Sequence, residues 1–173
     1  MPITDHALAI AAAEAGAAVV RSHYGSELTR FSKGGGDFAT VADVEAEKAV
    51  LDVLRAARPG DVVVGEESGR TGGAGTTRTW LVDPLCGTLN YAATTMLVSV
   101  NVALREDTRI TAAASADPFA GEVFWTDGSV AYRRHGGVDE LLVPSAGSNL
   151  VDVNLDPPFV SKDGFLAAKQ RPA

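Results

Sequence analysis

The sequence holds one cysteine, Cys86, among 173 residues. A single thiol excludes an intramolecular disulfide and suits a reducing compartment, so a cytoplasmic location is expected. No run of lysine and arginine is present to follow a phosphate backbone, and the formal net charge is −7. Nucleic acid is therefore not an expected partner. Nor is there an apolar run of about 18 residues, the length a membrane-spanning helix needs. The alanine-rich N-terminus is broken by Asp5, His6 and Glu14 and has no basic segment leading to a cleavage site, so neither a signal peptide nor a membrane association is expected. Internal repeats are absent too. What remains is an ordinary globular balance, 46% hydrophobic and 21% charged. That predicts one domain with a real core over residues 1–145, continued by an extended tail over 146–173.

Thr4 or Asp5 caps a predicted helix that runs to about Tyr24 and stops at Gly25, with Leu8, Ala12, Ala15 and Val19 on one face. Lys33-Gly-Gly-Gly-Asp37 reads as a loop. A second helix is expected from Ala42-Asp43 to Ala57. Val44, Leu51 and Leu54 form its buried stripe, and Glu45, Glu47, Lys48 and Arg55 face water. Val62 to Val64 is a short buried strand, residues 69–78 a mobile Gly/Thr-rich loop, and Thr79 to Asp83 the next strand. From Leu97 the period changes to two: Val98, Val100 and Val102 alternate with Ser99, Asn101 and Ala103. Strands are expected over residues 111–117, 121–126 and 129–133, with turns at Glu106-Asp107, Asp117-Pro118 and Asp127-Gly128. The predicted class is α/β (α+β), with helices layered on a mixed, largely antiparallel sheet.

Three segments carry the chemistry: Asp37-Phe-Ala-Thr-Val-Ala-Asp43, Gly65-Glu-Glu-Ser68 and Trp80-Leu-Val-Asp-Pro-Leu-Cys-Gly-Thr-Leu-Asn-Tyr91. In this order and spacing they resemble the inositol monophosphatase family, with its D-x-x-T-x-A-D segment, G-E-E loop and W-x-[VI]-D-P-[IL]-D-G-T-x-N-[FY] signature. The resemblance covers roughly residues 5 to 145 and implies the fold of that family's N-terminal domain. It also exposes two departures. Cys86 stands where the family has a magnesium-binding aspartate, and a thiol is a poor ligand for a hard cation. The W-D-x-A-A-G motif of the second subdomain, another source of a metal ligand, does not occur here. Glu66 and Asp83 remain, with Asp37 and Asp43 nearby, enough for one weak cation but not for two-metal chemistry.

The substitution suggests a nucleophile. Cys86 precedes Gly87-Thr88, where the resemblance places a helix N-terminus, and such a position favours the thiolate. The N–H groups of Gly87 and Thr88 are candidates to receive an oxyanion. The base is sought among His135, His6 and His23, with His135 preferred and Asp117 as its orienting carboxylate. The pattern resembles the Dieckmann cyclases of tetramate and pyridone antibiotic pathways. That resemblance implies a metal-free, cofactor-free reaction with catalytic Cys86, His135 and Asp117, and with Gly87, Thr88, Asp83 and Glu66 around the substrate. Cys86 takes an acyl chain from the thioester of an acyl or peptidyl carrier protein. His135 then deprotonates the methylene of the β-ketoamide, and the carbanion closes the ring. Arg105, Arg109, Arg133 and Arg134 are candidates to dock the carrier, and Leu85, Leu89, Tyr91 and Met96 to line an acyl channel. A homodimer involving the tail is expected.

Two other readings stay open. One is a residual one-metal phosphatase acting on a sugar or inositol phosphate; the other is a non-catalytic relative. In these, Cys86 is a small core residue or part of a decayed site, Asp43 a helix cap, and Asp117 a turn former.

Overall fold

Asp5–His23 forms α1, as its cap and stop signals predict. The side chain of Thr4 accepts from the Ala7 N–H, and Gly25 follows the helix at φ +76°. The structure, a computed structural model, describes residues 3–27, 29–34, 37–73, 75–143 and 147. The buried face of α1 is wider than expected. Leu8, Ala9, Ala12, Ala13, Gly16, Ala17 and Val20 are buried, whereas Ala15 and Val19 sit at its margin. Small residues let α2 (Val41–Ala57) and the sheet come close: a Cβ at Gly16 would lie 2.8 Å from Val50 and 2.9 Å from Val100.

Lys33, Gly34 and Asp37, expected in a glycine loop, belong instead to a separate two-stranded antiparallel ribbon, β1 (Arg30–Gly34) and β2 (Asp37–Thr40). It leads directly into α2, whose capping box pairs Thr40 with Asp43. The stripe on α2 also differs from expectation. Val44 is exposed, while Glu47, expected in water, is only 3% exposed.

The remaining strands form one sheet. They are β3 (Val62–Gly65), β4 (Gly69–Gly72), β5 (Arg78–Cys86), β6 (Ser99–Glu106), β7 (Arg109–Ala116), β8 (Glu122–Thr126), β9 (Ala131–His135) and β10 (Val138–Leu141). Their order is β10-β9-β8-β7-β6-β5-β3-β4. Only β3 and β5 run parallel; the other pairs are antiparallel. Two strands were not expected. β4 lies in what reads as a loop, where the main-chain ladder with β3 outweighs poor glycine propensity, and β10 pairs with β9 at the edge.

Alternation sets the two faces of the sheet. Trp80 and Val82 of β5, Val100, Val102 and Leu104 of β6, and Ala112, Ala114 and Ala116 of β7 pack into one core with both helices. Trp80 reaches that core with its indole N–H satisfied by Asp61 Oδ2 at 2.9 Å. The neighbouring positions Leu81, Asp83, Asn101, Ala103, Ala113 and Ser115 line a groove of about 580 Å³ on the opposite face. The 146–173 tail, and with it the expected dimer contact, lies outside the described residues apart from residue 147. Among the described residues, no helix is long and apolar enough to cross a membrane.

Candidate functional site

The parallel pair β3–β5 places two chain ends side by side. Gly65 aligns with Val82, and the Glu66 N–H donates to the Val82 carbonyl at 3.2 Å. The Glu66-Glu67-Ser68 turn therefore lies next to Asp83. It is fixed from behind by Glu47, whose carboxylate accepts from the N–H groups of Glu67 and Ser68 at 2.8 Å each. A Cβ at Gly65 would come within 2.5 Å of that carboxyl, so the glycine makes the approach possible.

Asp43 does similar work on the other side. One oxygen accepts from the Thr40 N–H at 2.7 Å and the Thr40 hydroxyl at 2.5 Å; the other accepts from the Thr88 hydroxyl at 2.9 Å. Its carboxylate is thus a clasp joining β2, α2 and the short α3 (Thr88–Ala92), consistent with a cap rather than a free ligand. Asp37 belongs to β2. Gly87 makes the bend before α3 at φ +95°, where a Cβ would lie 2.8 Å from the Leu97 carbonyl. Tyr91 anchors α3 by donating from its hydroxyl to the Val20 carbonyl at 2.6 Å, and burial pushes its pKa up to about 12.

Asp83 is the centre of the groove's polar end. Its Oδ1 is buried without a hydrogen-bond partner. Burial first, and then the Glu66 charge, raise its pKa above the ordinary aspartate value; Cys86, Asn101 and the Leu85 backbone bond to the carboxyl and pull the other way. Asn101 is oriented by Ser115 and Ser99, whose hydroxyls lie 2.7 and 3.3 Å from its Oδ1. Lys33, from β1, donates to Glu66 Oε1 at 2.9 Å and to Glu67 Oε1 at 2.7 Å. Burial alone would lower the Lys33 pKa, but bonds to the two glutamates and their charges outweigh it and raise it. Glu67 is raised because burial exceeds the help it receives from Lys33.

The structure brings together five of the seven residues predicted around the substrate and nucleophile: Cys86, Gly87, Asp83, Glu66 and, across Asp43, Thr88. It does not build the triad. Cys86 pairs with Ser99, Val100 with Ala116, the Asp117 N–H with the Glu122 carbonyl, and Glu122 with His135. His135 is therefore four strands away from Cys86, roughly 19 Å at ~4.8 Å per strand, far beyond proton-transfer reach. Its side chain is 63% exposed. Asp117 closes the β7–β8 turn, accepting from the N–H groups of Phe119 and Ala120 at 2.7 and 2.9 Å. His23 pairs with Glu45 at 2.8 Å, and His6 stacks on Trp125 with centroids 5.0 Å apart.

The thiol also differs from expectation. Cys86 is the last residue of β5, ahead of a five-residue helix; although the residue is exposed, partial desolvation by its neighbours and then the Asp83 carboxyl and the Glu66 charge push its pKa up to about 11. The supposed acyl channel is not formed, since Leu85 and Tyr91 are core residues while Leu89 and Met96 are exposed. Arg133 and Arg134 are paired with Glu122, Glu140 and Asp139 within the meander rather than left for a carrier protein. The residues that sequence reasoning missed are Glu47, Lys33, Asn101 and Ser115. Of these, Asn101 alone had a signal, as a polar position alternating with buried valines.

Residues 2–136 match the model of the inositol monophosphatase family. The inositol-1-monophosphatase of Caulobacter vibrioides is 38% identical over 139 residues, which is 70% of this chain and 54% of that protein. The Nus factor SuhB of Escherichia coli K12 is 32% identical over 115 residues, 66% of this chain and 43% of its own. Among solved structures, the extragenic suppressor protein suhB of Bartonella henselae superposes with a TM-score of 0.69 at 31% identity, over 73% of this chain and 49% of that one. The chain spans about half the length of the relatives it matches. Relatives named as monophosphatases overturn the expectation of a cysteine acyltransferase, and with it the Dieckmann cyclisation and the antibiotic pathway.

Proposed function

This chain belongs to the inositol monophosphatase family, and from that premise we propose that it hydrolyses a sugar or inositol phosphate monoester with the help of a single divalent cation. The observation that carries this reading is the buried, unpartnered Oδ1 of Asp83 beside the Glu66 carboxylate. A buried acceptor without a donor is costly, and two neighbouring carboxylates repel; one positive ion answers both. Magnesium-type ions are commonly held through one or two carboxylates, with waters and substrate phosphate completing the shell. Asp83 and Glu66 fit one such ion. A two-metal site does not fit, since among the described residues no three His, Cys, Asp or Glu side chains form a metal-binding group.

When bound, the cation supplies positive charge against the phosphoryl oxygens. The chain's own residues do the rest. Glu47 and Asp43 keep the 66–68 turn and the start of α3 in place. Asn101, its oxygen taken by two serine hydroxyls, directs its amide N–H toward Asp83 and fixes that carboxyl's orientation. Gly87 and Thr88 are assigned to the phosphoryl end, because they follow Cys86 at the start of α3, beside Asp83.

A non-catalytic relative is the second reading, and Cys86 favours it. With a pKa near 11 the thiol is neutral at pH 7, so it adds no charge to hold a cation. Phosphate release from inositol-1-phosphate, measured at saturating Mg²⁺ for the wild type, Asp83→Asn and Cys86→Asp, separates the two. The hydrolase reading expects slow release by the wild type, none by Asp83→Asn, and at least a tenfold gain in Cys86→Asp. Inert but folded wild type and Cys86→Asp would leave the non-catalytic reading standing.

A further inference from the structure

We propose that Lys33 is a built-in counter-cation that competes with the divalent cation for Glu66, and so sets how tightly this site holds metal. The inference rests on the single-cation reading above and names the residue that regulates that site.

The position of Lys33 is specific. Ser32 pairs with Phe38 and Gly34 with Asp37, so the register of the β1–β2 ribbon slips at Lys33. Such a bulge re-aims one side chain. Here it sends the ammonium out of the ribbon and onto the turn between β3 and β4, where it donates to Glu66 at 2.9 Å and Glu67 at 2.7 Å. The ribbon is not part of the main sheet; its base is closed by the Val41 N–H donating to the Thr29 carbonyl at 3.0 Å.

The backbone that carries the two glutamates does not depend on Lys33 for its position. Glu47 holds the 67 and 68 N–H groups, and the Val82 carbonyl holds that of Glu66. Removing the lysine therefore leaves the turn in place with one positive charge fewer beside its two carboxylates. The two glutamates also differ. The side chain of Glu67 is 12% exposed and that of Glu66 43%. Lysine is a point charge on a flexible stem, so it can stay on the sheltered Glu67 while a divalent ion takes the exposed Glu66 together with Asp83. Each binding event must then break one charge-assisted hydrogen bond, which lowers affinity and disfavours monovalent ions.

Calorimetric titration of the whole chain with Mn²⁺ tests this, using the wild type, Lys33→Met, the double variant Lys33→Met with Asp83→Asn, and Lys48→Met. Lys48 pairs with Asp52 on the exposed side of α2 and controls for the loss of one positive charge. The expected result is a Kd at least tenfold lower in Lys33→Met, unchanged in Lys48→Met, and no binding in the double variant. Equal Kd values for the wild type and Lys33→Met, with binding lost on Asp83→Asn, overturn the competition and leave the single-cation reading intact. Tighter binding in Lys33→Met that survives Asp83→Asn supports the competition and moves the ion to Glu66 and Glu67. No binding by any variant, each shown folded by its thermal transition, overturns both.

Discussion

The carboxyl group of Glu47 fills the space where a side chain at Gly65 would be, within 2.5 Å of an ideal Cβ there. An acid on α2 thus fixes the turn that carries Glu66, and a glycine at the end of β3 admits it. Gly65→Ala forces the carboxylate away from the Glu67 and Ser68 N–H groups. Overpacking of this kind costs about 1–3 kcal/mol, and each released buried donor adds about 1 kcal/mol or more. Urea unfolding should show a loss of roughly 3–5 kcal/mol; a variant as stable as wild type would show that the turn does not depend on Glu47.

Gly16 tests the helix–sheet contact in the same way. A Cβ there meets Val50 at 2.8 Å and Val100 at 2.9 Å, methyl groups from α2 and from β6. Gly16→Val pushes α1 off both. It should lower stability by about 1–3 kcal/mol despite the better helix propensity of valine. A stabilised variant, read from the denaturation midpoint, contradicts the close approach.

The Cys86 thiol is expected to be slow. With a pKa near 11, against about 8.5 for a free cysteine, its thiolate fraction at pH 8 is lower by about two orders of magnitude. Alkylation by iodoacetamide should be correspondingly slower than that of a small thiol and should climb until well above pH 10. After burial, Asp83 is the largest cause of the shift, so Asp83→Asn should speed the reaction at pH 8. A rate that levels off near pH 8 would contradict this environment.

The motifs were legible because their chemistry is local. Asp83, Cys86 and Gly87 are neighbours in the chain, and Gly65-Glu-Glu-Ser68 follows a short valine strand. The period-two alternation from Val98 to Ala103 also marked β6 and its two faces. What joins across the fold was not legible. Glu47 reads as a solvent residue at its helical position, because nothing local says that two N–H groups from a distant turn will meet it. Lys33 sits in a glycine-rich stretch, and the bulge that aims it depends on the pairing of β1 with β2. Cys86, Asp117 and His135 were grouped because a cysteine nucleophile calls for a histidine base and a carboxylate to orient it. Sheet register, which a single chain does not reveal, instead puts them in one row with a whole strand between each pair of neighbours in the intended triad.

Asp83→Asn separates the role of the carboxylate from that of the fold. In the folded chain its pKa is raised, by burial first and then by Glu66. A raised acid contributes stability that is fully present below its unfolded value, about 3.9, and is lost as pH rises through the folded value. At pH 7 without metal, the wild type therefore carries a buried charge that the amide lacks. Asp83→Asn should melt higher than wild type at pH 7, and the gap should narrow as pH falls and the wild-type carboxyl takes up its proton. Adding Mn²⁺ should reverse the order: an ion bound only by the folded wild type raises its Tm by mass action, and the variant gains nothing. Scans across pH 4–8, with and without Mn²⁺, read both effects. A variant that melts lower at pH 7 without metal would mean that the bonds the carboxylate already makes outweigh the cost of its unpartnered oxygen. The buried Oδ1 would then be no argument for a cation.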